Sequence, residues 1–256
     1  MELLMFPSPM HPALGPLTRL TLLLLVLLSG GSPVAAGEPG EAAPRSVRED
    51  QRRLLDARVD AAKQATAERP DEPAALLDLA QALHFRGLPA FGGAADDTDA
   101  AAALLEALHA ADPAAPLPAA YLGSVRLVQS ARARMPWSKG KLATAGGELL
   151  QAAITAAPDD PQVRYVRGVS TIDLPERFGV REQARADLAA VAGLLAAAAD
   201  EGRLDPWLAA SAMLHHGHQL QQQGDDAAAR AAWRVAVDHW PDTPAALQAK
   251  ALLGER

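Results

Sequence analysis

An all-helical fold is what this sequence predicts, on three observations. The 256-residue chain is rich in Ala and Leu, and only 4 % of it is aromatic. Val, Ile, Thr and Tyr, which suit a pleated sheet, are sparse. No stretch alternates apolar and polar residues for long enough to read as a half-buried strand. Proline and glycine instead cut the chain into apolar segments of helical length.

Charge and cysteine content narrow the function classes. The formal net charge is −7, and a nucleic-acid backbone repels such a surface, so no nucleic-acid partner is expected. The charges are interspersed, with no long run of one sign. With no cysteine, the chain has no disulfide, thiolate zinc site, iron–sulfur cluster or cysteine nucleophile.

The first segment reads as an address. Arg19 precedes the apolar run Leu20 to Leu28, and Ser29, Gly30, Gly31, Ser32 and Pro33 break it. Val34-Ala35-Ala36 then places small residues at a cleavage site before Gly37. This order is that of a secretory signal peptide over 1–36, cut after Ala36. The run is shorter than the roughly 20 residues a membrane-spanning helix needs, although an uncleaved anchor is the alternative. Met10 is a possible second start. The position after Leu27-Leu28-Ser29-Gly30 holds Gly31, not the Cys of a lipoprotein. The expected product is a periplasmic or secreted chain with no membrane insertion after cleavage.

The elements of the mature chain follow in order. Residues 37–44 read as a flexible leader, and 45–256 as one helical domain. Ser46 and Glu49 have capping-box spacing and open a charged helix through Glu68, closed by Arg69-Pro70-Asp71. Pro73, Pro161, Pro206 and Pro244 each follow an acidic residue or Thr, the signature of an N-cap with proline at the first helical position. Pro116 opens another helix, and Gly87 and Gly224 sit where helices stop.

These signals recur, most clearly over 210–243, where Gly217, Ala229, Trp233, Ala236 and Pro241 are spaced as in the tetratricopeptide repeat (TPR). The segment resembles that family at a small residue in position 8, then Ala, an aromatic, Ala and Pro. Small residues let two antiparallel helices approach closely, the aromatic fills the space beside the next helix, and proline ends the second helix. Weaker copies precede it. Ala80, Gly123 and Gly168 fall at position 8, and Leu122-Gly123 is the family's Leu-Gly pair. Second helices keep the spacing as Ala101, Leu105, Leu108, Pro113, then Gly146, Leu150, Ala153, Pro158, then Ala184, Leu188, Val191. From position 8 to the next helix's small residue the gaps are 21, 23, 16 and 12 residues. The first three units therefore carry insertions between their helices. Two hold related text, Leu88-Pro89-Ala90-Phe91-Gly92 and Leu174-Pro175-Glu176-Arg177-Phe178-Gly179; the third holds Met135-Pro136-Trp137.

The resemblance implies a right-handed α-solenoid of about four helix pairs, a leading helix and a capping helix from Pro244. It also implies a groove lined by Ala74, Leu77, Gln81, His84 and Phe85 in the first pair and Ser211, Leu214, His218, Gln221 and Gln222 in the last. A mixed polar and apolar groove suits a protein or peptide segment. Phe91, Trp137 and Phe178 are expected in loops, where aromatics serve binding or plug gaps between repeats. The expected function is that of an exported, non-catalytic interaction scaffold of the cell envelope, using no cofactor. The alternative is a small-molecule-binding subunit associated with a periplasmic transporter, which requires a closed apolar cavity at Phe91, Trp137 or Phe178.

No nucleophile elbow, Walker loop or dinucleotide fingerprint is present. Asp159-Asp160 and Asp225-Asp226 stand at helix starts, where capping explains them. His215 and His218 share one helix face. Two imidazoles need a further ligand to hold a metal, so no metal site is assigned to them.

Overall fold

Ten α-helices run from Arg45 to Leu253 in a computed structural model that describes residues 45–175, 178–197 and 205–255. They are α1 (Arg45–Glu68), α2 (Pro73–Gly87), α3 (Ala95–Ala111), α4 (Pro116–Arg132), α5 (Pro136–Ala156), α6 (Pro161–Thr171), α7 (Arg181–Ala197), α8 (Pro206–Gln222), α9 (Asp226–His239) and α10 (Pro244–Leu253). A single 3-10 turn spans Pro89–Phe91, and no strand occurs among the described residues. The expected signal peptide and leader lie outside them. No helix among the described residues is long and apolar enough to cross a membrane.

Proline opens six of these helices at their first turn. Asp160, Asp205 and Thr243 cap three of those with side-chain oxygens on backbone N–H groups, as the N-cap rule requires. Glu72 precedes Pro73 but its side chain makes no such bond. Ser46 stands inside α1 rather than capping it, and Glu49 pairs with Arg45 at 3.0 Å.

Consecutive helices pack as antiparallel neighbours, and the first helices of the pairs also meet, α2 with α4, α4 with α6 and α6 with α8. They form the inner layer of an α-solenoid, with α3, α5, α7 and α9 outside. Small residues set the spacing. Ala80, Ala101, Ala120, Ala210, Ala229 and Ala236 are fully buried. A Cβ on Gly123 would lie 2.8 Å from the Gly146 carbonyl oxygen, and one on Gly168 would lie 2.8 Å from Leu188 Cγ. In the last pair, a Cβ on Gly217 would come 2.2 Å from Trp233 Nε1. That indole is 3 % exposed and donates to the Leu214 carbonyl at 3.2 Å, so it cannot swing aside. The third pair is joined by a buried bidentate contact, Arg167 Nε and Nη2 donating to Asp187 at 2.7 and 2.9 Å.

The insertions take two forms. Leu88–Gly92 and Leu174–Gly179 end alike: Phe91 N donates to Leu88 O, Phe178 N donates to Pro175 O, and Gly92 and Gly179 both have φ +66°. Arg132 pins the first insertion, donating to the carbonyls of Gly87, Gly93 and Ala94. The Met135-Pro136-Trp137 segment is not the loop expected from the sequence. Pro136 starts a 21-residue α5, so this insertion is absorbed as helical turns and Trp137 sits in the first of them.

The array also closes on itself. α10 packs against α1, and Gln51 donates its side-chain amide to the Pro244 carbonyl at 2.8 Å in a buried contact.

Gly217→Ala is expected to lower the melting temperature. Overpacking of about 1–3 kcal/mol outweighs the roughly 1 kcal/mol that alanine gains in a helix, a net drop of several degrees for a domain of this size. Gly147, also helical, has nothing within 4 Å of a Cβ, and Gly147→Ala is expected to raise it. Circular-dichroism melts that shift the same way for both substitutions contradict the close-approach account.

Candidate functional site

The inner layer is filled by its own side chains. Gln81, His84 and Phe85 on α2 and Leu214 on α8 are 5–8 % exposed. These four groove positions therefore face neighbouring helices and present no open groove to solvent. The cause is the extra N-terminal turn of α8, which starts at Pro206, ahead of the repeat unit at 210. It brings Trp207 to Phe85, edge to face, with ring centroids 6.5 Å apart. The first and last inner helices are thus in contact.

Arg58 of α1 locks that contact. Its guanidinium forks onto both oxygens of Asp205 at 3.1 and 3.0 Å, reaches Asp78 at 3.2 Å, and lies 4.7 Å from the Trp207 ring and 5.9 Å from the Phe85 ring. Asp205 simultaneously accepts from the backbone N–H groups of Trp207 and Leu208. One carboxylate therefore caps α8 and holds α1. The Arg58 side chain is only 10 % exposed, so its charge depends on those partners.

Behind this clamp runs a chain of polar groups. Ser170 Oγ of α6 donates to Ser124 Oγ of α4 at 2.8 Å, and Ser124 is hydrogen-bonded to His84 Nε2 of α2 at 3.0 Å. His84 Nδ1 and Tyr121 Oη are buried with no partner. The Ser–His pair lacks the third group that orients a catalytic imidazole. Burial pushes the His84 imidazole down to about 4, and burial also raises the Tyr121 and Tyr165 phenols above their ordinary value.

The remaining histidines diverge. His215 Nδ1 lies 2.8 Å from the Ser211 carbonyl, its ring edge-on to Tyr165. His218 stacks edge-on against Trp233 at 5.6 Å, and His216 faces α7. Desolvation lowers the pKa of all three. Among the described residues no group of three or more His, Asp or Glu is placed to hold a metal ion. Gln221 and Gln222 are exposed at the end of α8.

The inserted aromatics separate as well. Phe91 is partly buried and packs on the core, and Phe178 is half-buried. Trp137 is 67 % exposed and Met135, two residues earlier, 50 %. Their turn is rigid: Ala133 N donates to the Gln129 and Ser130 carbonyls, Lys139 N to the Met135 carbonyl, and Ser130 Oγ to the Lys139 carbonyl. Arg134, Lys139 and Lys141 flank it in the chain, with Lys139 and Lys141 on the first turns of α5. No acidic residue occurs from 113 to 147, and the first turn of α5 carries none to offset the positive end of its dipole. Sequence reasoning marks Trp137 but misses these flanking cations; the acid-free stretch is the available signal.

A search of the solved structures finds a thermophilic TPR protein from Thermus thermophilus, with a TM-score of 0.53 and 17 % identity over 81 % of this chain and 97 % of that one. The fold is TPR-like. No family model and no curated protein matches the chain. The likeness bears on the scaffold, the stacked helix pairs, and leaves the surface residues to be read from this chain alone.

His84 makes the TPR-like core pH-sensitive. Folding keeps it neutral where the unfolded chain protonates it, so the unfolded state takes up the extra proton as pH falls from about 6.5 to about 4. Stability therefore drops through that window, by about 3 kcal/mol for this group. The lowered values of His215, His216 and His218 act in the same direction. His84→Gln is expected to flatten the dependence of melting temperature on pH between 6.5 and 4. An unchanged slope contradicts the buried neutral imidazole.

Proposed function

We propose that this protein is an exported, non-catalytic interaction scaffold that docks an acidic protein segment on the Met135–Lys141 turn. The observation that carries the reading is Trp137, a large apolar side chain 67 % exposed on a rigid helix start. Aromatic residues dominate the energetics of protein interfaces, and a rigid anchor loses little freedom on binding. Arg134, Lys139 and Lys141 flank it in a chain of net charge −7, so charge selects an acidic partner. His218, Gln221 and Gln222 remain as secondary contact positions at the end of α8. The buried groove residues act by holding the scaffold in shape.

Export rests on the sequence of residues 1–36, and its check is N-terminal sequencing of the protein from the envelope or medium, which should begin at Gly37. The transporter-subunit alternative required a closed apolar cavity at the inserted aromatics. Trp137 faces solvent and Phe91 packs on the core, which favours the scaffold reading.

Panning the folded chain against displayed random peptides should enrich acidic sequences with an apolar anchor, and their binding should weaken with salt. Trp137→Ala is expected to weaken binding of the selected peptides at least tenfold, as for a hot-spot residue, and Lys139→Glu with Lys141→Glu to weaken it further. Undiminished binding in Trp137→Ala, or attachment to anionic lipid vesicles in place of any peptide, would overturn the proposal.

A further inference from the structure

A cleft of about 260 Å³ opens between α7 and α8, lined by Arg185, Ala186 and Ala189 on one side and His216, Gln219 and Leu220 on the other. It is separate from the inner face and from the Trp137 turn. Like His84 Nδ1 and Tyr121 Oη in the inner layer, its buried polar atoms lack partners. Gln219 is 8 % exposed, and its Nε2 is buried with no hydrogen-bond acceptor. His216 Nδ1 is buried and likewise unpaired. Arg185 is exposed and makes no ion pair among the described residues. An unsatisfied buried donor costs about 1–3 kcal/mol, and native chains leave few of them. Gln219 Nε2 is such a donor, and His216 Nδ1 beside it donates in one of its two neutral tautomers; next to a guanidinium they point to a ligand that accepts hydrogen bonds.

We infer that this cleft binds a carboxylate on a short hydrocarbon body, with Arg185 supplying the charge and Gln219 and His216 the hydrogen bonds. A carboxylate only accepts, and its two oxygens offer enough lone pairs for a guanidinium and two further donors. Burial holds the His216 imidazole in its neutral form, which has one N–H to give. No acidic side chain lines the cleft to compete for Arg185. Ala186, Ala189 and Leu220 provide an apolar wall that a hydrocarbon chain covers and a phosphate does not. The volume equals about nine waters of the liquid and falls below the usual range for drug-sized pockets. That fits a small free acid or the last residue of a peptide chain. Both present the same group, and the cleft recognises it by the same chemistry.

Saturation-transfer NMR on the full folded chain separates these sources. The probes are butyrate, butyramide, inorganic phosphate, and one short peptide ending in Leu as the free acid or the amide. Transfer to butyrate and not to butyramide is the expected result, with no competition from phosphate. A response to the free-acid peptide that the amidated peptide lacks, with or without one to butyrate, also supports the site and assigns it to a chain terminus. Arg185→Gln, an exposed position whose change leaves the core intact, is expected to weaken binding about tenfold or more, as loss of a charge-assisted hydrogen bond does. Gln219→Met should weaken it less. Trp137→Ala should leave it unchanged, which keeps this test independent of the docking turn. Equal transfer to butyrate and butyramide, no binding by either free acid, displacement by phosphate, or wild-type binding in Arg185→Gln would each overturn the inference.

Discussion

The contact on which the rest of this structure depends is the one between its ends. A solenoid of helix pairs buries each pair only against its neighbours, so its two terminal faces must be covered by something. Here each end covers the other. α1 supplies Leu55, Val59 and Ala62, all nearly or fully buried, and α10 packs beside it. Gln51 ties α1 to the start of α10, and Arg58 ties it to the start of α8. Both polar contacts are made to proline-led helix starts, one to the buried Pro244 carbonyl and one to the capping carboxylate of Asp205.

Closure decides what the inner face can be. In an open array, Gln81, His84, Phe85 and Leu214 would line a groove. With Trp207 against Phe85, they become part of the packing. The polar groups among them are then obliged to bond with one another, and His84, Ser124 and Ser170 do so. A buried charge such as Arg58 contributes little net stability after desolvation. Its fork onto Asp205 instead fixes which helix meets which, and so sets the geometry of the ring. What stays open to solvent lies on the outside, and both proposed surfaces, the α4–α5 turn and the cleft between α7 and α8, are there.

Much of this is legible in the sequence, and the reason is local. Pro73, Pro116, Pro161, Pro206 and Pro244 start helices because proline's fixed φ and missing N–H suit that position alone. Ala80, Gly123, Gly168 and Gly217 mark the register because only small residues fit where helices approach closely. The related texts around Phe91 and Phe178 share an ending: each phenylalanine N–H donates to the carbonyl three residues back, and a glycine at φ +66° follows. The features that sequence reasoning misses are collective. Curvature accumulates from small rotations at each repeat, and no single residue encodes whether the ends meet. Arg58 belongs to a helix dense in charge, which reads as solvated until Asp205 is seen beside it. Repeat spacing counts the residues between helices and so points to a loop at Trp137, yet extra residues fit equally well as added helical turns. The unpaired polar atoms of His216 and Gln219 become visible only when two helices are set side by side.

The most direct measurement of closure is a distance between the two ends in solution. The chain has no cysteine, so Arg48→Cys in α1 and Gln248→Cys in α10 allow a pair of spin labels without background. Pulsed electron-electron double resonance on the doubly labelled, full-length protein should give one narrow distribution at the short end of the measurable range. A broad distribution, or a main peak near the full span of the array, would contradict a closed ring and return the inner residues to an open groove.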